Sequence, residues 1–502
     1  MFCSEEIAMT EQGRNWEDVV FATDHFSSAL TRAVRRGRLR RLARGIYTGD
    51  LTSDPGAIVL RNLWSIVAHE FPGAVISDRS VPSGGMPKVG LLFVVHDRQR
   101  PVTLPGVEIV PRVGPGHVEG DMELPEGIWI SSTERSLLDN LAPARSTMRH
   151  RRTLTQAEIE DWIELLLQQR GEAGLNALRD RARSIAPKLG REREFTNLNR
   201  LISAALMTRD DVTASSLTLA ARLEGSPFDA ARISLFEGLA SYLLDVAPLT
   251  MPALETDKAR RALLPFYEAY FSNFIEGTEF TLDEAADICF ERHVPPSRPA
   301  DAHDILGTFE IVSDTAEMMR TPEDPDELEA LLRSRHAILM TSRPENRPGA
   351  FKTVANRAGS TLFVQPDLVS GTLRRGFDLG RELTSPFARA AYLMFLVAEV
   401  HPFSDGNGRI ARVMMNAELE AAGEIRIIIP TVYRSNYLSA LSAVSHGGYF
   451  QAFDAMLTFA WRWTARVDFT DRRSAEHDLT VTNALRSSVE ADAVGVRLVM
   501  PG

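Results

Sequence analysis

The chain has 502 residues, 44% of them hydrophobic and 25% charged, with a formal net charge of −11. That composition excludes a mostly disordered chain, a collagen-like rod and a membrane bundle, and the length predicts about three domains. Two cysteines, Cys3 and Cys289, are too few for a disulfide framework or a multi-cysteine zinc site, and residues 1–20 carry acids without an apolar core, so a cytoplasmic chain is expected.

The pattern divides into stretches 1–145, 146–250, 251–470 and 471–502. Residues 15–50 predict two short helices and a hairpin. Residues 27–36 form the second helix, Gly37 stops it, and RLRRLARGIYTG alternates like a small two-stranded wing with Gly45 at its turn. Between 25 and 49 stand Arg32, Arg35, Arg36, Arg38, Arg40, Arg41 and Arg44 with no acid among them, a local basic face on an acidic chain. A helix is expected over 56–70, and strands in VGLLFVVHD and GVEIVPRVG. Residues 146–250 read as helical (AEIEDWIELLLQQRG), and so does 251–470 apart from an irregular stretch at 341–380. The tail, 471–502, reads as an appendage pinned back on the core.

One segment concentrates chemistry: His401-Pro402-Phe403-Ser404-Asp405-Gly406-Asn407-Gly408-Arg409-Ile410-Ala411-Arg412. An apolar helix leads into it and Pro402 ends that helix. RIARVMMNAELEAAG then predicts a second helix, with Gly423 at its C-terminal cap. The loop between them offers free amides at a helix N-terminus, where the dipole and unpaired N–H groups favour an anion. Arg409 and Arg412, three apart, add two cations, Asp405 supplies a hard oxygen, and His401 can accept a proton near neutral pH. Together these predict attack by a hydroxyl on a phosphate.

These residues resemble the Fic family signature, His-Pro-Phe-x-[Asp/Glu]-Gly-Asn-Gly-Arg-x-x-Arg, at every fixed position. The resemblance implies a mainly α protein with a helical Fic core and a β-hairpin flap. It implies transfer of AMP from ATP to a protein hydroxyl, with His401 as general base, Asp405 as Mg²⁺ ligand, and Gly406, Asn407 and Gly408 as phosphate anchors. Arg409 would meet the β-phosphate and Arg412 the γ-phosphate. Ser272 and Glu276, one helical turn apart in SNFIEG, are by themselves a common surface pattern. Beside the motif they resemble the family's inhibitory helix, near 258–277, whose buried glutamate would pair with Arg412. Ser360, Thr361, Leu362 and Phe363 resemble the flap, which aligns a target by strand addition. Tyr433, Asn436 and Tyr437 would wall the adenine, or are ordinary core residues.

Towards the N-terminus, LTRAVRRGRLRRLARGIYTG, VISDRSVPSGG and WISSTERSLLDNLA resemble the antitoxin-type regulators of abortive-infection systems. That implies an α+β domain of winged-helix type with the seven arginines facing DNA, although a solvated basic face fits the same residues. The expected partners are therefore ATP and a protein target, with DNA and a second copy of the chain left open. A DNA-binding regulator whose Fic part senses nucleotide remains a competing class, as does a Fic enzyme that removes AMP or transfers another nucleotide.

Overall fold

The computed structural model describes residues 16–24, 27–144, 151–209, 211–359 and 361–502. Cys3 and His25 lie outside them. The chain divides after Leu223 into two compact units. The sequence boundary at 250/251 thus falls elsewhere, because the helix at 230–245 carries its buried face, Phe236 and Leu239 included, into the second unit.

The first unit opens with a three-stranded antiparallel sheet in the order β1 (Val20–Phe21), β3 (Ile46–Thr48), β2 (Arg40–Ala43), with helix α1 (Ser27–Arg35) between the first two strands in sequence. Gly45 turns the hairpin at φ +81°. The expected first helix is absent from the described residues, where β1 and a 3-10 turn at Ala22–Asp24 stand instead, since Val20 is spent on the sheet's small core. Arg32, Arg35, Arg36, Arg38, Arg41 and Arg44 are exposed. Arg40 is not part of that face: its guanidinium donates to the carbonyls of Asp50 (3.3 Å) and Ser53 (2.7 Å), closing the following loop.

The single helix expected over 56–70 is two, α2 (Pro55–Arg61) and α3 (Leu63–Glu70), separated at Asn62, whose side chain is drawn to Asp18 at 2.8 Å. They cover a mixed six-stranded sheet whose two longest strands, the neighbours Leu91–Val95 and Val107–Arg112, lie where the apolar runs predict. Helices at 133–141, 156–189, 192–205 and 217–223 build a second apolar core.

The second unit is helical. Its framework is α4 (Ala230–Asp245), α5 (Leu264–Ile275), α6 (Pro299–Ser313), α7 (Pro325–Leu339), α8 (Val369–Gly380), α9 (Pro386–Val400) and α10 (Asn407–Ala421). Helix α9 is apolar on every face and is buried almost throughout, so it forms the axis against which α4, α8 and α10 pack. The stretch 341–380 is less irregular than its sequence suggests, because Leu373 and Gly376 bury one face and fold its end into α8. Helices α11 (Arg434–Gly447) and α12 (Phe450–Thr464) follow, and the tail forms α13 (Arg472–Val481) and α14 (Ser488–Val494). Ala475, Leu479 and Ala484 are buried, and the Val432 amide bonds the Ala484 carbonyl at 3.3 Å, so the tail packs on this unit. Among the described residues, no helix is long and apolar enough to cross a membrane.

Candidate active site

The site forms where α9 ends. The His401 amide closes the helix on the Val397 carbonyl at 3.0 Å, and the residue itself turns left-handed, at φ +54° and ψ +59°. Such a conformation costs a non-glycine residue about 1–2 kcal/mol, and Pro402 disfavours the helical alternative. The imidazole Nδ1 sits 3.2 Å from the Ala398 carbonyl. A carbonyl only accepts, so Nδ1 carries the proton and Nε2 keeps its lone pair. The ring lies flat on Phe363, 3.7 Å between centroids. Burial pushes its pKa down to about 4; the Ala398 bond opposes this and the Lys352 charge adds to it.

His401 is therefore neutral at pH 7, in the form that accepts a proton. In an NMR titration of the folded chain its ring should hold its neutral shifts down to about pH 5. The unfolded chain takes up that proton at about 6.5, so the stability held in the neutral ring is complete above pH 6.5 and is lost as pH falls towards 4. Midpoints near 6.5 in the native state would contradict the burial account.

Gly406, at φ +76°, begins α10 without a side-chain cap, so the first-turn amides have no intrahelical partner. Behind them stand two arginines, each about 3% to 5% exposed. Arg409 is held by Asp304 at 3.1 Å, which Arg343 grips from the other side at 2.8 Å. Arg412 donates to Ser272 Oγ (3.0 Å), the Ser272 carbonyl (2.7 Å) and Glu276 (2.7 Å), and its guanidinium lies 5.7 Å from the Tyr437 ring centre. Burial opposes the charge on Arg412 most strongly, but Glu276 and Tyr437 together outweigh it, so its pKa stands above the ordinary value. Glu276 is not buried as expected: it caps α5 and its side chain is 35% exposed. It also lies against the first turn of α10, where a methyl group on Gly408 would collide with its carboxylate. One carboxylate thus covers both Arg412 and the anion cradle.

Asn407 faces inward. Its side chain accepts from the Phe403 amide at 2.8 Å and donates to the Phe403 carbonyl at 2.9 Å, so it shapes the loop and leaves only its backbone N–H for an anion. Asp405 is 52% exposed; one oxygen accepts from the Gly406 amide (2.7 Å) and the other from Asn346 (3.3 Å). Among the described residues no cluster of three His, Cys, Asp or Glu could cage a metal. A lone, accessible carboxylate fits Mg²⁺, which takes few protein ligands and keeps waters and phosphate oxygens.

Arg357–Ala358 and Thr361–Leu362 form an antiparallel hairpin beside the loop, and Ser360 lies outside the described residues. Tyr433 and Asn436 share one groove with Phe459, whereas Tyr437 is buried against Arg412. No residue of 401–412 lines that groove, so the three do not form one wall.

Several site residues carry no motif. His336, buried, stacks on Phe403 at 3.7 Å, bonds the Asp405 carbonyl (3.1 Å) and accepts from the Gly349 amide (2.9 Å). Asp304 stands on a helix between buried Ala302 and Ile305, and a charge at that spacing is the one sequence sign of it.

Residues 326–419 match the Fic/DOC family model. "Protein adenylyltransferase fic-1" of Caenorhabditis elegans is 26% identical over 188 residues, 36% of this chain and 37% of that protein. "Protein adenylyltransferase Fic" of Nematostella vectensis is 26% identical over 187 residues, 36% and 44% respectively. The matched segment thus spans less than half the length of these relatives. The solved structure of Caenorhabditis elegans Fic-1, residues 134–508, aligns with 64% of this chain and 93% of its own at 17% identity and a TM-score of 0.37.

Proposed function

We propose, from the Fic domain that residues 326–419 form, that this chain is a protein adenylyltransferase that moves AMP from ATP to a hydroxyl of a protein, itself included, and that Glu276 restrains it. One observation carries the reading: a single loop joins an imidazole with a free Nε2 lone pair to an uncapped helix N-terminus backed by two buried arginines. Nε2 takes the proton of the incoming hydroxyl as its oxygen bonds the α-phosphorus, and the bond to the β-phosphate bridging oxygen breaks to release pyrophosphate. The first-turn amides of α10 and Arg412 receive phosphate oxygens once Glu276 leaves them. Asp405 would hold Mg²⁺, which supplies positive charge for the departing pyrophosphate. His336 and Asn407 keep the loop in shape. The names of the curated relatives support the same reading.

ATP labelled at the α-phosphate should leave stable label on purified protein, while label at the γ-phosphate should leave as pyrophosphate. Retention of γ-label would make the transfer that of phosphate and overturn the proposal, as would no label from either.

For the first unit, six exposed arginines around α1 and the hairpin support a DNA-binding face. Each phosphate contact adds about −0.9 to the slope of log affinity against log salt. Changing Arg35, Arg36, Arg41 and Arg44 to glutamine should therefore flatten that slope by up to about 3 to 4 in a gel-shift titration. An unchanged slope, or no shift by the native chain at low salt, would remove DNA from the account.

A further inference from the structure

The residues on either side of His401 are held by two side chains that the catalytic motif does not contain. Lys352 is 3% exposed and lies just ahead of the hairpin. Its amide donates to the Pro402 carbonyl at 2.8 Å, and its ammonium donates to Asn356 Oδ1 at 2.7 Å and towards the Val400 carbonyl at 3.4 Å. Asn356 passes the connection on, its Nδ2 donating to the Phe403 carbonyl at 2.9 Å. The Asn356 carbonyl receives the Phe363 amide at 3.2 Å, and Phe363 is the residue whose ring lies on the imidazole. The carbonyls of residues 400, 402 and 403 are thus all tied to one corner, and the left-handed turn at His401 lies between them.

The chemistry of that corner is unusual. Among the described residues the ammonium's hydrogen-bond partners are neutral oxygens, with no carboxylate among them, and its remaining contact is the Phe363 ring at 6.0 Å from the ring centre. Burial accordingly pushes its pKa down to about 7. A buried lysine without a counter-ion costs stability, so a solely structural part would be served better by an apolar side chain. Its three donors do what an apolar chain cannot: they reach the hairpin and the loop at once.

We infer that Lys352 and Asn356 are positioning residues that staple the root of the hairpin to Val400–Phe403 and so hold the His401 ring, with its Nε2 lone pair, in the pose the reaction needs. The inference rests on His401 being the base. The staple acts through the backbone on the His401 side of the loop and meets α10 at the Phe403 carbonyl, which Asn407 also bonds, while none of its hydrogen bonds among the described residues reaches the first-turn amides or the arginines. Its loss should therefore lower the rate of transfer and leave nucleotide binding nearly unchanged.

The test uses the full chain carrying Glu276→Gly. Lys352→Met and Asn356→Ala should each slow AMP transfer about ten- to a hundredfold while the affinity for ATP, read by equilibrium binding, stays within about twofold. Lys352→Arg, which keeps a cation and its donors, should recover most of the rate. In NMR spectra of the same variants the His401 ring signal should broaden or split in the first two and stay single in the third. Asn356 is half-buried and Asn356→Ala creates no buried charge, so it tests the staple even where Lys352→Met fails to fold. Rates within twofold of the parent, ATP affinity lost in step with rate, or Lys352→Arg as slow as Lys352→Met would each overturn the inference. A parent chain that transfers no AMP would refute the proposed function, and the ring signals would then decide the staple by themselves.

Discussion

Changing His401 to alanine should lower AMP transfer by about 10²–10⁴-fold, the range expected when a positioned general base is removed. The loss belongs in the chemical step. Among the described residues no hydrogen bond links the imidazole to the first-turn amides or to the arginines, so ATP affinity should stay within a few fold. The ring contacts Phe363 and the Ala398 carbonyl, and its removal leaves a gap beneath the hairpin. A modest fall in melting temperature is therefore expected alongside, and His401→Gln separates the two effects by filling the space with a group too weakly basic to take the proton. Rapid single-turnover transfer with the alanine variant would place the base elsewhere.

Changing Glu276 to glycine should act in the other direction. In the structure the carboxylate takes one donor of a buried arginine and leans on the amides that an anion would use. A charge-assisted hydrogen bond is worth about 1.5–3 kcal/mol, and exposure of a third of the glutamate side chain reduces that to about 1–2 kcal/mol. With 1.4 kcal/mol to a factor of ten, transfer should rise about five- to thirtyfold. Glu276→Gln, which keeps a hydrogen bond and loses the charge, should fall between the native chain and the glycine variant. Arg412 would remain fixed by Ser272 through two bonds, so the cation stays in place after the carboxylate leaves. Equal rates for native and glycine forms would show that Glu276 restrains nothing.

The candidate loop was legible because its residues are local. Twelve consecutive positions hold the imidazole, the uncapped helix start and both arginines, and helix punctuation by Pro402 and Gly423 sets the elements on either side. Glu276 was legible for the same reason, through its one-turn spacing from Ser272, but its exposure was not. Burial is decided by what else packs at the end of α5, and spacing carries no information on that. Asp304, His336 and Asn356 reach the loop from 105, 69 and 47 residues away, and only the packing of α6, α7 and the hairpin root brings them there. Asn407 and Arg40 show the reverse error: each has a side chain suited to binding, and each spends it on local backbone. The helix at 369–380 was obscured by its glycines and arginines, because the force that orders it is burial of Leu373 against α9 rather than propensity.

The most direct test sets three forms of the full chain side by side with ATP and Mg²⁺, followed by intact-mass spectrometry: native, Glu276→Gly, and Glu276→Gly combined with His401→Ala. A mass gain of one AMP per site that is faint in the first, strong in the second and lost in the third is the predicted result. The same gain in the second and third forms would contradict it, because AMP would then reach the protein without the imidazole.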